Sequence, residues 1–168
     1  MSKNILLLCD TFFPDRTSGA KLLYELSNEL SKKKNLLVVV PRNSNFFEIF
    51  NKLKINNKKN IKIIFVSSFQ IKNQNYLLRG LSELLMSYIL WHKSKRLIDD
   101  FKPSKMIVYS PSIFFGYFCK KIKINFKIKS LCILRDLFPY WAIETGFIKN
   151  FLIKKILIRV LNNFISIF

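Results

Sequence analysis

The chain has 168 residues, half of them apolar and 15% aromatic, enough for one packed domain or part of a larger one, and too apolar for intrinsic disorder. Lys plus Arg number 29 against 10 Asp plus Glu, a formal charge of +19, which excludes a neutral, freely diffusing small enzyme as the starting picture. The excess implies an anionic partner (nucleic acid, anionic lipid or a phosphorylated substrate), alongside a Lys, Asn and Ile bias of the kind an AT-rich genome imposes.

The run Ile5 to Cys9 predicts a buried strand over 4–9. It is too short for a signal-peptide core and closes at Asp10. Residues 20–33 predict an amphipathic helix, with Leu22, Leu23, Leu26 and Leu30 at helical spacing. A second strand spans Leu36–Val40 and stops at Pro41; a short helix is expected over 44–54 and a turn over 56–60. Ile61–Val66 is a third strand. Residues 76–101 predict a long helix with Leu77, Leu81, Leu84, Leu85, Tyr88 and Ile89 on one face. A fourth strand at 106–109, a helix over 112–121, a fifth strand at 128–134, a loop at 135–147 and a helix from about 149 complete the order. Continuous apolar strands alternating with helices predict an α/β, Rossmann-like doubly wound domain, with a parallel sheet in the order 3-2-1-4-5. No repeat and no linker divides residues 1–168. The pattern breaks off with no closing strand, so a single, incomplete domain is expected.

Cys9, Cys119 and Cys132 lie in apolar surroundings without CxxC spacing. That argues against a disulfide framework and a zinc site, and for free buried thiols in a reducing compartment. No run reaches the roughly 18 apolar residues of a spanning helix. A cytoplasmic protein, peripheral on a membrane surface, is therefore expected. His92 has no carboxylate or thiol constellation around it and reads as a packing or surface residue.

In a sheet of this kind ligands bind at the carboxyl ends of the strands. The loop after the first strand delivers Ser18-Gly19 to a helix start, where backbone N–H groups suit a phosphate; Ser18 reads equally as a plain helix cap. It is neither GxGxxG nor a Walker A loop, which disfavours a nicotinamide cofactor and P-loop chemistry. Ser112, after the fourth strand, reads as a cap. The loop after the fifth strand gathers Arg135, Asp136, Phe138, Tyr140, Trp141 and Glu144. Aromatic faces suit sugar rings and carboxylates bind hydroxyls or take protons; the alternative is a surface Arg135–Asp136 pair with aromatics plugging the sheet end.

Taken together, these two loops resemble the N-terminal half of GT-B-fold glycosyltransferases of the retaining family 4. The carriers are Lys3–Leu8, Phe13-Pro14, Ser18-Gly19-Ala20 and Leu26–Leu30, the strand ending at Pro41, and Arg135-Asp136-Leu137-Phe138-Pro139 with Ala142 and Gly146. The last segment is similar to the Asp-Leu-Trp/Phe-Pro segment of the subgroup that builds O-antigen and capsule sugars. The chain departs from the family in having Ser18 where many relatives have a first glycine, in Arg135-Asp136 where many have His, and in lacking the C-terminal, donor-nucleotide domain.

The resemblance implies an acceptor-binding half of an enzyme that transfers a sugar from a nucleotide donor to a lipid-linked acceptor, in surface polysaccharide or lipopolysaccharide synthesis. Ser18 and Gly19 would approach the donor diphosphate. Arg135 and Asp136 would orient hydroxyls and phosphates, and Phe138, Tyr140, Trp141 and Glu144 would face the acceptor. No metal and no cofactor is implied. The nucleotide sugar would bind only with a C-terminal domain, supplied in the same chain or by a partner chain, and the chain alone is expected to be inactive. The basic excess would hold it on the anionic inner face of the cytoplasmic membrane. The final helix would carry its apolar face (Ile153, Leu157, Val160, Leu161, Phe164 and Phe168) into the membrane interface, or else pack that face on the sheet. The competing readings are a non-catalytic, membrane-associated scaffold of the same fold and half of a split enzyme. A nucleic-acid-binding protein is disfavoured because the lysines are spread along the chain without an RNA-binding signature.

Overall fold

A computed structural model describes residues 4–43, 53–58, 60–68, 76–110, 113–135 and 137–168. Its elements are β1 (Asn4–Leu8), α1 (Ser18–Ser31), β2 (Asn35–Asn43), β3 (Leu53–Lys58), β4 (Ile61–Ser68), α2 (Tyr76–Phe101), β5 (Lys105–Ser110), a 3-10 turn (Ile113–Phe115), α3 (Gly116–Phe126), β6 (Lys129–Leu134), α4 (Tyr140–Glu144) and α5 (Phe151–Ile165). Among the described residues the strands form one sheet in the order β3-β4-β2-β1-β5-β6. The five strands from β4 to β6 run parallel, in the order expected from the sequence, with β1 central. The α/β, Rossmann-like reading therefore holds.

β3 is an addition. It pairs antiparallel to β4 in the register Lys58↔Ile61 to Leu53↔Val66, where a turn was expected over 56–60. Its own sequence alternates, Leu53 and Ile55 against Lys54 and Asn56, which is a strand period. The helix expected over 44–54 falls outside the described residues for 44–52, and its last two positions belong to β3. Pro41 also fails to stop β2, which runs on to Asn43 with Pro41 opposite Val66. The carbonyl of Val39 accepts from Cys9 on the β1 side, so the N position of residue 41 also points toward β1. The β1 pairing ends at Leu8↔Val39, so the missing donor of Pro41 costs no ladder bond.

Two clusters sandwich the sheet. One holds Leu6, Leu8, Leu37, Val39, Ile64, Val66, Met106 and Val108 under α2, α3 and α5; the other holds Leu7, Leu36, Val38, Val40, Ile63 and Phe65 under α1 and Phe12. α1 is capped by Thr17, whose hydroxyl accepts from the Ala20 amide at 3.1 Å. Ser18, expected as a possible cap, is instead the first helical residue. Leu22 of the expected apolar face is exposed, and Ala20, Leu23 and Ser27 are buried. Thr17→Ala is expected to lower stability by about 1 kcal/mol. The readout is a shift of the urea midpoint at constant slope; an unmoved midpoint would show that the cap contributes nothing.

α2 has the predicted ends, and of its expected face Ile89 packs against the core while Leu85 and Tyr88 do not. Leu85 and Tyr88 are exposed, while Ser87, Leu90, Trp91, Ser94 and Ile98 are buried; the side chains of Leu77, Leu81 and Leu84 lie outside the described residues. Two of the buried residues are serines because their hydroxyls are satisfied internally. Ser94 donates to the Leu90 carbonyl at 2.5 Å and Ser87 accepts from the Phe118 amide at 3.0 Å. Small side chains there let α2 and α3 approach. His92 is exposed, its ring 4.1 Å from that of Tyr88. The loop expected over 135–147 contains α4. In α5, Leu157, Val160, Leu161 and Phe164 pack on the core and Ile153 is half-buried. Most of the face expected at the membrane thus packs on the core beside the 3-10 turn, while Phe168 is exposed.

Candidate functional site

The chain order reverses about β1: β2 lies to one side and β5 to the other. A crevice opens at the carboxyl ends of the strands at such a switch point. Three segments meet there: the loop from β1 into α1, Tyr109 near the end of β5, and Arg135 immediately after β6.

Arg135 joins them. Its Nη1 donates to the Tyr109 hydroxyl at 2.7 Å and its Nη2 to Ser18 Oγ at 3.1 Å. Ser18 and Arg135 are 117 positions apart in the chain, so only the sheet brings them together. Gly19 lies beneath this bridge. A Cβ there would stand 2.7 Å from the Tyr109 hydroxyl, 3.3 Å from Thr11 Cγ2 and 3.4 Å from Arg135 Nη1. Glycine is needed here for close approach.

The loop is held from behind by a polar relay. Arg42, on β2, lies 3.9 Å over the Phe65 ring and 3.7 Å from Asp15. Asp15 Oδ2 accepts from Thr11 Oγ1 at 3.1 Å and from the Phe12 amide at 3.3 Å. Thr11 in turn shares a 3.0 Å hydrogen bond with Thr17, the cap of α1. The direction in which α1 points its first turn is therefore fixed before any ligand arrives.

That first turn contains no acidic residue. Its first N–H groups have no intrahelical acceptor, and the helix carries a partial positive charge at this end. The guanidinium of Arg135 adds a full charge beside it. A helix N-terminus and a guanidinium that face the same space suit a phosphate or diphosphate.

The remaining candidates divide. Asp136 and Ser112 lie outside the described residues. Phe138 is half-buried against the core, its ring 6.4 Å from that of Phe114, and acts as a wedge. Trp141 is turned to Phe138 and Phe147, with ring centroids 6.2 Å away in each case. Tyr140 and Glu144 are exposed on α4. Tyr109, Thr11 and Arg42 were not singled out from the sequence. A tyrosine near the end of a buried parallel strand is the signal that would have found the first.

Burial disfavours the thiolate at all three cysteines. Burial, reinforced by Asp10 and Asp15, holds the Cys9 thiol well above its ordinary range; burial also raises Cys119, with Cys132 adding to it, and raises Cys132 itself. All three are free. The described residues include no group of three or more His, Cys, Asp or Glu able to hold a metal. A cavity of about 680 Å³ lies away from this crevice, between α3 and α5, lined by Phe114, Tyr117, Lys120, Val160 and Phe164 among others.

No protein-family model matches the chain, and no curated protein does. Solved structures do. Trehalose-6-phosphate from E. coli bound with UDP-2-fluoro glucose matches at a TM-score of 0.49 and 15% identity, over 76% of this chain and 32% of that one. TcCGT1 in complex with UDP matches at a TM-score of 0.50 and 12% identity, over 80% of this chain and 28% of that one. The chain thus spans less than a third of the length of either. The fold is GT-B glycosyltransferase-like, the chain matching one Rossmann-like half.

Proposed function

We propose that the chain is the acceptor-side half of a retaining, family 4 glycosyltransferase of the O-antigen and capsule type, whose complete form moves a sugar from a nucleotide donor to a lipid-linked acceptor. The supporting observation is the Arg135 guanidinium bridging Ser18 and Tyr109 above Gly19, at the positive end of α1. Sugar transfer from a nucleotide develops negative charge on the departing diphosphate. Fixed donors aimed at that charge lower the barrier without reorganising during the reaction. Ser18, Gly19 and Arg135 meet the diphosphate, and Asp136 with Arg135 orients hydroxyls. Tyr140, Trp141 and Glu144 face the acceptor, with Phe138 supporting them from the core. Both solved neighbours hold UDP or a UDP sugar, which supports a uridine nucleotide as the donor carrier. The acceptor lipid places the protein on the inner face of the cytoplasmic membrane; no described helix is long and apolar enough to cross it.

The test is a titration of the isotope-labelled chain with inorganic pyrophosphate, followed by amide NMR. Ser18, Gly19 and Ala20 are expected to shift together and saturably, and the Arg135→Ala variant to lose the response. The isolated chain is expected to release no UDP from a UDP sugar. Shifts confined to the surface lysines would overturn the site, and steady UDP release would overturn the assignment to one half of an enzyme.

A further inference from the structure

α5 is unusual in what it leaves outside. Its C-terminal half buries Leu161 and Phe164, turns Asn162, Asn163 and Ser166 to water, and leaves Ile165 49% exposed. The N-terminal half is apolar on the outside too, with Phe151, Leu152 and Ile156 at 75%, 66% and 61% exposure. At about 100° per residue these three flank Lys155 and Arg159 on one outward face. The patch continues into the turn before α5. Phe147 is 64% exposed and touches Trp141, itself 47% exposed. Asn150 fixes the start of α5 beside it by accepting from the Leu152 and Ile153 amides at 2.9 and 3.2 Å. The surface is therefore a rigid shoulder and not a loose end.

Charge identifies its occupant. Lys149, Lys154, Lys155 and Arg159 rise from the shoulder, and no acidic residue follows Glu144 in the chain. A second copy would bring a like-charged shoulder on a body of the same +19 charge, which opposes pairing. We infer that the α4–α5 shoulder docks on an anionic lipid bilayer: Trp141, Phe147, Phe151, Leu152 and Ile156 enter the head-group boundary and Lys149, Lys154, Lys155 and Arg159 meet the lipid charges. The inference rests on the reading of a lipid-linked acceptor and gives that reading its contact surface. Amphipathic insertion and charge attraction reinforce each other here because the two residue types alternate on one face.

The experiment is flotation of the full chain with phosphatidylglycerol–phosphatidylcholine vesicles and with pure phosphatidylcholine vesicles. Binding to the anionic vesicles is expected, weakening as salt is raised, with little binding to the neutral ones. The combined variant Phe151→Ser, Leu152→Ser, Ile156→Ser is expected to lose about thirtyfold or more in partitioning. Lys155→Gln, which removes one charge, is expected to lose about fivefold. Ile124→Ser, at an apolar position 61% exposed on α3, is expected to bind as the parent does. All substituted side chains are exposed, and circular dichroism confirms that each variant is folded. If the parent floats and the triple variant floats equally well, the shoulder is wrong and the lipid-acceptor reading stands. Failure of the parent to float at all removes both. A concentration-dependent dimer abolished by the triple variant would make a second copy the occupant and overturn the inference.

Discussion

Gly19→Val lowers the unfolding free energy by about 2–3 kcal/mol, the expected cost of forcing carbon into a filled space. For a chain of this size that is a drop of about 8 °C in Tm. The first added atom alone meets the Tyr109 hydroxyl at 2.7 Å. Tyr109 is buried on β5 and its hydroxyl is tied to Arg135, so it has little room to withdraw. The branched side chain then pushes α1 away from the sheet, and the pyrophosphate response disappears with it. A double-mutant cycle isolates the cause. Gly19→Ala and Tyr109→Phe should each destabilise alone, whereas together they should cost less than their sum, because the phenylalanine ring lacks the oxygen that the new methyl strikes. Strict additivity would show that the close approach to the hydroxyl is not what requires glycine.

Arg135→Ala has the larger effect on chemistry and the smaller one on stability. Joined to a donor-binding domain, the variant is expected to fall about 100- to 1000-fold in kcat, the usual loss when one donor to a developing anion is removed. Its folding cost is about 1 kcal/mol, because the Tyr109 hydroxyl loses a partner while the exposed guanidinium gives up little packing. Arg135→Lys keeps the charge but cannot reach Ser18 and Tyr109 at once, so it should recover only part of the rate. A change confined to KM would mean that Arg135 binds substrate and transition state equally, and would remove it from the catalytic step.

What the sequence revealed and what it hid follow from the range of the forces involved. The five parallel strands and their order were legible because each is a continuous apolar run and the crossovers have one favoured hand. The ends of α2, at Tyr76 and Phe101, were legible from composition. Its buried face was not: Leu85 and Tyr88 look like core, yet Ser87 and Ser94 hold those positions because a neighbouring helix and the helix's own carbonyl satisfy them. Pro41 misled for a similar reason. Whether a proline breaks a strand depends on which neighbour its missing donor would have faced, and that neighbour is β1, far upstream in the chain but paired with β2 in the register Ile5↔Leu36. In the candidate site, Ser18, Gly19 and Arg135 were legible as loop residues at strand ends, and the structure brings them within contact. Their geometry was not legible. Tyr109, which fixes the guanidinium, carries no local motif, and Thr17 holds the capping role that the sequence offered to Ser18. α5 was legible as a helix with one packed face; its second, outward apolar set became visible only once the first was known to be used.

The serine buried in α2 also bears on how α3 is held. α3 has 11 residues, and its Phe115 cap supplies no side-chain acceptor. A helix of that length is marginal by itself in water. The amide of Phe118, in its first turn, is satisfied by Ser87 from α2, so the start of α3 is written in a different helix 31 positions earlier. Docking on α2 therefore stabilises the first turn of α3. Ser87→Ala is expected to speed amide exchange at Phe118, at the N-terminus of α3 beside the 3-10 turn, more than at the helix's C-terminal end.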